Sequence, residues 1–238
     1  MTDPSPFENA DRYDVVTDAT PAGDHARGEI ELVTDPHAAA GFAQAQRQAG
    51  KSDRLGVVYE DPYILLVRDL VRFPNGSLGT YLRLIERSSL GGAIGAAVFA
   101  VHDGRLLLLK QYRHATRSWE LELPRGRRDA GDEADLETAR REFAEEVGWP
   151  IARLKPLGTM VPNSGILAGH AALFYAELAD GPPANTEHAE ATEALGGTRF
   201  LDADQVAHAL REGTLRDSFT LAALALAQAR GLWPASTT

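Results

Sequence analysis

Arg141-Glu142-Phe143-Ala144-Glu145-Glu146-Val147-Gly148 closes a segment that begins at Gly126. On a helix, Glu142 and Glu146 lie one turn apart with Glu145 beside them, so three carboxylates share a face. Ala139, Phe143 and Val147 follow one another at a spacing of four and form a second stripe that can anchor the helix in a core. Like charges at this spacing cost an isolated helix roughly a few tenths of a kcal/mol. A bound divalent cation reverses that sign. A cluster of hard oxygen donors suits Mg²⁺ or Mn²⁺, the more so where a substrate phosphate adds oxygens. The plain alternative is a solvated acidic helix face. Gly148 reads as the helix stop, with Pro150 just beyond it.

The stretch before the helix shifts the balance. Glu122-Leu123-Pro124-Arg125-Gly126 is followed by Asp129-Ala130-Gly131-Asp132-Glu133. With it the segment resembles the Nudix box, which runs glycine, five residues, Glu, seven residues, then Arg-Glu-hydrophobic-x-Glu-Glu-x-Gly-hydrophobic. Arg141 through Trp149 match every specified position of the second half. Counting forward from Gly126 puts Asp132 at the first acidic position, whereas counting back from Arg141 puts Glu133 there. A one-residue insertion before the helix accounts for the difference and leaves the metal-binding half intact.

The composition is compatible with this resemblance. At 238 residues and 44% hydrophobic content, the chain can build a substantial core. A net charge of −10 argues against broad binding to nucleic acid or an anionic membrane. A nucleotide substrate remains compatible, because a metal ion and a few arginines can meet its phosphates. There is no cysteine, so disulfides, thiolate catalysis and cysteine zinc sites are excluded. No basic start followed by an apolar run marks a secretory signal, and no apolar run reaches membrane-spanning length. A soluble, cytoplasmic protein is expected.

Residues 1–28 are rich in Asp, Pro, Thr and Gly and read as flexible. Thr34-Asp35-Pro36 caps a helix over His37 to Gln48 that ends at Gly50. Together these form an extension over residues 1–54. Residues 55–90 then read as strands, with Val57 to Tyr59 and Tyr63 to Val71 leading through the Pro74-Asn75-Gly76-Ser77 turn into Gly79 to Glu86. A main domain over 91–238 opens with a hairpin, Ala93 to Val101 and Leu106 to Gln111, around Asp103-Gly104. Strands at Leu154 to Val161, Ala171 to Leu178 and Thr198 to Leu201 follow, then helices over Asp202 to Glu212 and Ser218 to Arg230.

Gln111-Tyr112-Arg113 and Glu122-Leu123-Pro124 resemble the ADP-ribose pyrophosphatase-like branch of the Nudix superfamily, and the resemblance covers roughly residues 55–232. It implies an α/β/α sandwich around a mixed sheet, with the box as loop–helix–loop and an N-terminal strand hairpin before it. It also implies a homodimer, because strands placed like 55–90 cross to the other subunit in that branch.

Pyrophosphate hydrolysis requires neutralised phosphate oxygens, an activated water and a held leaving group. Glu142 and Glu146 are expected as direct metal ligands. Glu145 is expected as a ligand or as the group orienting a water, and the resemblance adds a backbone carbonyl near Arg125-Gly126. Arg141 is expected to pair with a carboxylate and, with Gly126 and Gly148, to shape the box. The family's late-loop glutamate corresponds to Glu187, Glu190 or Glu193, of which Glu190 and Glu193 are the candidate bases; an exposed acidic loop is the alternative reading. Arg113 either grips a phosphate or pairs with Glu120 or Glu122. Glu122 is a further candidate for the substrate site. Trp119 and Tyr112 either stack a base or pack in the core. His102, His114 and His170 share no metal-binding spacing.

Two departures from the branch bear on substrate. Asn163-Ser164-Gly165-Ile166 keeps a glycine but lacks the proline and the following acid of the branch's Ser-Pro-Gly-Phe loop. Arg125, Arg127 and Arg128 also put three positive charges beside an acidic site, which would favour an extra phosphate or an anionic sugar. The expected activity is metal-dependent cleavage of a nucleoside diphosphate linked to a sugar, ADP-ribose first, releasing a nucleoside monophosphate and a sugar phosphate. A Nudix-like regulatory domain that binds a nucleotide without turnover, a Nudix hydrolase of another phosphoanhydride, and an acidic scaffold are the competing readings. The complete carboxylate set speaks against a domain that only binds.

Overall fold

The structure, a computed structural model, describes residues 5–18, 21–91, 93–128, 134–181 and 195–234. In chain order its elements are α1 (Ala10–Asp18), β1 (Glu31–Leu32), α2 (Pro36–Gln48), β2 (Gly56–Glu60), β3 (Ile64–Arg72) and β4 (Leu78–Glu86). There follow β5 (Gly95–His102), β6 (Arg105–Arg113), β7 (Ser118–Glu122), β8 (Arg125–Arg127), α3 (Asp135–Glu146) and β9 (Ile151–Met160). The chain continues with β10 (Leu167–Ala168), β11 (Ala171–Leu178), β12 (Leu195–Leu201), α4 (Ala203–Arg211) and α5 (Ser218–Ala229). Contacts divide it into two compact units, Met1–Gly91 with Asn163–Gly169, and Gly92–Pro162 with His170–Thr238.

The first unit is a sheet in the order β1-β3-β4-β10, with β2 also paired to β3. β10 runs parallel to β4, and the other pairs are antiparallel. The β3–β4 hairpin turns at Gly76, whose φ of 82° a side chain would strain. Asn75 secures this turn by accepting from the Ser77 amide. The core of the unit joins Leu65, Val67 and Ile85 of the hairpin to Tyr13 and Val16 of α1 and Ala39 of α2. α2 begins as its sequence implies, with Pro36 in the first turn and the Asp35 carboxylate accepting from the Ala38 amide.

Within the stretch 1–28 that its composition marks as flexible, Phe7, Tyr13 and Val16 are buried. Phe7 stacks on Tyr13 at 4.8 Å between ring centroids. The Tyr13 hydroxyl donates to Asp69 Oδ1 at 3.1 Å, and burial, reinforced by the Asp69 charge, pushes it above the usual tyrosine range. Few apolar groups are present in this stretch, but Phe7, Tyr13 and Val16 all enter the core. Their spacing outweighs the polar composition.

The second unit has a mixed sheet in the order β12-β6-β5-β11-β9, with β7 added to β6 and β8 to β5. β5 and β11 are parallel, and the remaining pairs are antiparallel. Alternation assigns the two faces. Ala96, Val98 and Ala100 of β5 pack with Ala139, Phe143 and Val147, the second stripe of the box helix. Ala97 and Phe99 pack with Val206 and Ala209 of α4 and Ala223, Leu224 and Ala227 of α5. This is the expected α/β/α sandwich. The hairpin between β5 and β6 turns on Asp103 and Gly104, at φ 48° and 70°. Among the described residues no helix is long and apolar enough to cross a membrane.

α5 is tied to the strand leading into the box through Thr220, which is fully buried. Its hydroxyl accepts the Leu123 amide at 3.1 Å and donates to Asp217 Oδ2 at 2.9 Å. Thr220→Val leaves the Leu123 amide without an acceptor in a buried setting, which costs about 1–3 kcal/mol. Chemical denaturation of the variant beside the parent is expected to show that loss with an unchanged m-value.

Candidate active site

The box helix α3 ends as its sequence indicates, with Gly148 at φ 65° and its amide donating to the Phe143 carbonyl. Asp135 and Glu137 lie in the first turn, where negative charge suits the helix dipole. Its box glutamates Glu142, Glu145 and Glu146 each meet a protein group. Glu146 is buried, and its Oε2 accepts the Arg125 amide at 2.9 Å. Arg141 Nη1 donates to Glu142 Oε1 at 2.9 Å and to Glu145 Oε2 at 3.2 Å, while Nη2 reaches the Arg127 carbonyl at 3.0 Å. Arg141 bridges two carboxylates and fastens the loop strand β8 to the helix.

Gly126 is required by the position of Glu142. A Cβ at residue 126 would lie 1.8 Å from Glu142 Cδ and 1.9 Å from its Oε2. Opposite it, a Cβ at Gly95 would lie 2.3 Å from the Gly126 carbonyl oxygen. Two glycines on the paired strands β5 and β8 thus let backbone and carboxylate come together.

A second group of charges surrounds Glu122, which is 1% exposed. Arg113 approaches it with Nη2 at 2.6 Å from Oε1 and Nε at 3.1 Å from Oε2. Arg125 Nη2 donates to Glu122 Oε2 at 3.0 Å and to Asp217 Oδ1 at 3.3 Å, and its guanidinium lies over the Phe219 ring, 4.2 Å from the centroid. Of the two roles open to Arg113, the structure supplies the ion pair, with Glu122 as partner. Arg125, expected to offer a positive charge toward an extra phosphate, is here engaged with carboxylates. Its charge is met by two carboxylates, although its buried Nε keeps no hydrogen-bond partner. Arg128 likewise faces Asp135, at 3.4 Å.

Glu120 pairs with Arg216 rather than Arg113. Arg216 donates from Nη2 to Oε1 at 2.6 Å and from Nε to Oε2 at 2.9 Å, and the Ser118 hydroxyl adds a third bond. These donors, the Arg216 bonds first and the Ser118 bond second, hold the Glu120 carboxyl at a pKa of about 2. Trp119 is about half exposed and so is not a core residue. Tyr112 meets it edge-on at 5.6 Å, and Lys110 Nζ lies 5.2 Å from its ring centroid. His102 packs against Trp149 and Phe200, while His114 and His170 are exposed. Among the described residues no three His, Asp or Glu side chains are grouped to hold a metal ion. Asp132, Glu133, Glu187, Glu190 and Glu193 lie outside the described residues.

The sequence reading missed Asp217, Phe219, Thr220 and Arg216. Asp217 carried a local signal, since it caps α5 by accepting the Thr220 amide. Its contact with Arg125 joins positions 92 residues apart and has no local signature.

Residues 91–221 match the family model described as the NUDIX domain. The chain belongs to the Nudix family. It is 36% identical over 144 residues to the CMP-5'-(N-acetyl-N-hydroxy-3-aminopropyl)phosphonate hydrolase of Streptomyces rubellomurinus, covering 58% of this chain and 68% of that protein. It is 28% identical over 174 residues to the ADP-ribose pyrophosphatase of Bacillus subtilis, covering 73% and 80% respectively. Its fold is similar to that of a solved ADP compounds hydrolase, with a TM-score of 0.61, 22% identity and coverage of 74% of this chain and 92% of that one. These likenesses agree with the ADP-ribose pyrophosphatase-like character seen in the sequence.

Two expectations follow from the geometry. Gly126→Ala forces the Glu142 carboxylate out of its position, so hydrolase activity should fall by at least about tenfold, equivalent to about 1.4 kcal/mol, while circular dichroism stays that of the parent. Arg216→Met should bring the Glu120 pKa from about 2 back toward its ordinary 4.5. Because the folded pKa is depressed, the Arg216 contribution is complete above about pH 4.5 and fades as pH falls toward 2. Urea denaturation across that window should show the two proteins converging in stability at the acid end.

Proposed function

We propose that the chain is a divalent-metal-dependent hydrolase acting on the phosphoanhydride of a nucleoside monophosphate joined to a second phosphorylated group. The observation that carries this reading is the contact of Glu142 with Gly126 together with the bond from the Arg125 amide to Glu146. They hold two carboxylates of the box helix against a backbone strand that has no side chain in the way.

The donor set fits Mg²⁺ or Mn²⁺. Glu142, Glu146 and Glu145 offer only hard oxygens, and the carbonyl of Arg125 or Gly126 would complete the set. Such an ion supplies charge neutralisation at the phosphate oxygens and acidifies a water. The chain's own residues prepare for this. Arg141 holds Glu142 and Glu145 together against their repulsion, a contact that a bound ion would replace. Glu146 stays fixed by the Arg125 amide. Glu145, the most exposed of the three, is the proposed ligand or group orienting a water, and Glu190 or Glu193 is the proposed base. Arg113 positions Glu122 beside the box and, with Trp119, forms the proposed substrate-binding side.

ADP-ribose is the first candidate substrate, from the likeness to ADP-ribose pyrophosphatase. A second reading has its own support in the greater identity to a hydrolase named for a CMP-linked phosphonate. In that case the leaving group is a phosphonate rather than a sugar phosphate. A cytoplasmic homodimer assembled through the strands of residues 55–90 completes the proposal.

Mononucleotide release is the test, measured on ADP-ribose, other nucleoside diphosphate sugars and a CMP-linked alkylphosphonate with Mg²⁺ or Mn²⁺. AMP from ADP-ribose or CMP from the phosphonate names the substrate class. Glu146→Gln is expected to lower kcat by at least about a hundredfold, near 2.7 kcal/mol. Metal binding without turnover across the whole panel would instead assign the chain to the domains that bind without cleaving.

A further inference from the structure

The unit built on β1 to β4 contains a cavity of about 200 Å³ that has no residue in common with the box. Ile30, Leu32 and Val71 line it with apolar surface, and Asp69, Tyr81 and Arg83 supply its polar part. Strand register explains the grouping. Asp69 lies opposite Tyr81 on the paired strands β3 and β4, and Val71 and Arg83 are each two residues further along the same face.

The cavity has a fixed rim. The Leu32 amide donates to the Ala22 carbonyl at 2.6 Å. Gly23, at φ 75°, packs so closely that a Cβ there would lie 2.2 Å from the Ile30 carbonyl oxygen. The loop that carries Ala22 is therefore seated directly on β1, and the opening is already formed.

The electrostatics select the kind of occupant. Asp69 is 3% exposed. Its Oδ1 accepts from the Tyr13 hydroxyl and from Arg83 Nη2, and its Oδ2 accepts from Arg83 Nε. Arg83 thus gives one edge of its guanidinium to Asp69, and its Nη1 has no hydrogen-bond partner among the described residues. Arg83 and Asp69 cancel in charge, so the lining has no net charge to attract an anion. An anion reaching Nη1 would also feel the buried Asp69 carboxylate. A neutral acceptor gains the unused N–H groups without that repulsion.

We propose that this cavity binds a small neutral ring compound bearing a carbonyl or carboxamide oxygen. The oxygen accepts from Arg83 Nη1, and the ring lies against Ile30, Leu32 and Val71. A volume below the roughly 300–1,000 Å³ of a drug-sized site limits the occupant to about one ring. The proposal does not depend on the reaction assigned to the box.

Benzamide and benzoate are the matched probes, titrated by calorimetry and by NMR against the full chain and two variants. Ala22→Phe fills the cavity from its rim and leaves the Asp69–Arg83 pair in place. Arg83→Lys keeps the charge and removes Nη1. Benzamide is expected to bind the parent with a Kd on the order of a millimolar, as a single-ring ligand should, and to perturb Tyr81. Both variants should weaken it at least about tenfold. If Arg83→Lys does not fold, Ala22→Phe alone decides. Failure of benzamide to bind the parent, unchanged binding to Ala22→Phe, or benzoate binding as tightly as benzamide would each overturn the proposal.

Discussion

Three carboxylates on one turn of a helix repel one another, and the architecture of the second unit resolves that repulsion. Arg141 is on the same helix and bridges Glu142 to Glu145. The loop strand β8 supplies the Arg125 amide to Glu146 and, through the missing side chain of Gly126, room for Glu142. For β8 to come so close, β5 must have its own glycine at position 95. The helix is held in turn by Phe143 and Val147, packed under β5 and β11. An electrostatic demand at three residues therefore dictates a backbone spacing across two strands.

Glu122 poses a related problem at greater depth. A carboxylate at 1% exposure is costly unless it is paired and hydrogen-bonded. Arg113 comes to it from β6 and Arg125 from β8. Asp217, before α5, balances the second guanidinium. The same aspartate caps α5 and accepts from Thr220, which holds the Leu123 amide. Replacing one member of such a group leaves a buried charge without its partner, and breaking a buried pair costs about 3–5 kcal/mol. These ion pairs make the strand that enters the box rigid, so they serve the box without belonging to it.

Much of this was legible in the sequence, for identifiable reasons. Box residues repeat at helical spacing, and their stop is a glycine, so α3, its buried stripe and the grouping of Glu142, Glu145 and Glu146 could be read locally. The hairpin at Asp103-Gly104 and the apolar runs of β5 and β6 were equally local. Short strands were not. β7, β8, β1 and β10 are held by pairing with partners distant in the chain, and Arg125-Gly126-Arg127 has no apolar alternation to announce a strand. α1 was missed because its anchors, Tyr13 and Val16, are set in a polar stretch and acquire meaning only against Val57, Leu65 and Val67. The ion pairs of Arg125 were hidden for the same reason. A cation beside acidic residues reads as available until Glu122, Asp217 and Phe219 are seen to converge on it.

That convergence changes how phosphate recognition must be argued. Around the box the described ion pairs match positive to negative, Arg141 with Glu142 and Glu145, Arg113 and Arg125 with Glu122 and Asp217, Arg128 with Asp135, Arg216 with Glu120. The whole chain carries a net charge of −10. A diphosphate arriving at such a surface gains little from a guanidinium that must first leave a carboxylate, because the contact made is offset by the contact broken. A divalent cation adds charge instead of redistributing it. At Glu142 and Glu145 such an ion would take over the charge balance that Arg141 now supplies to both carboxylates.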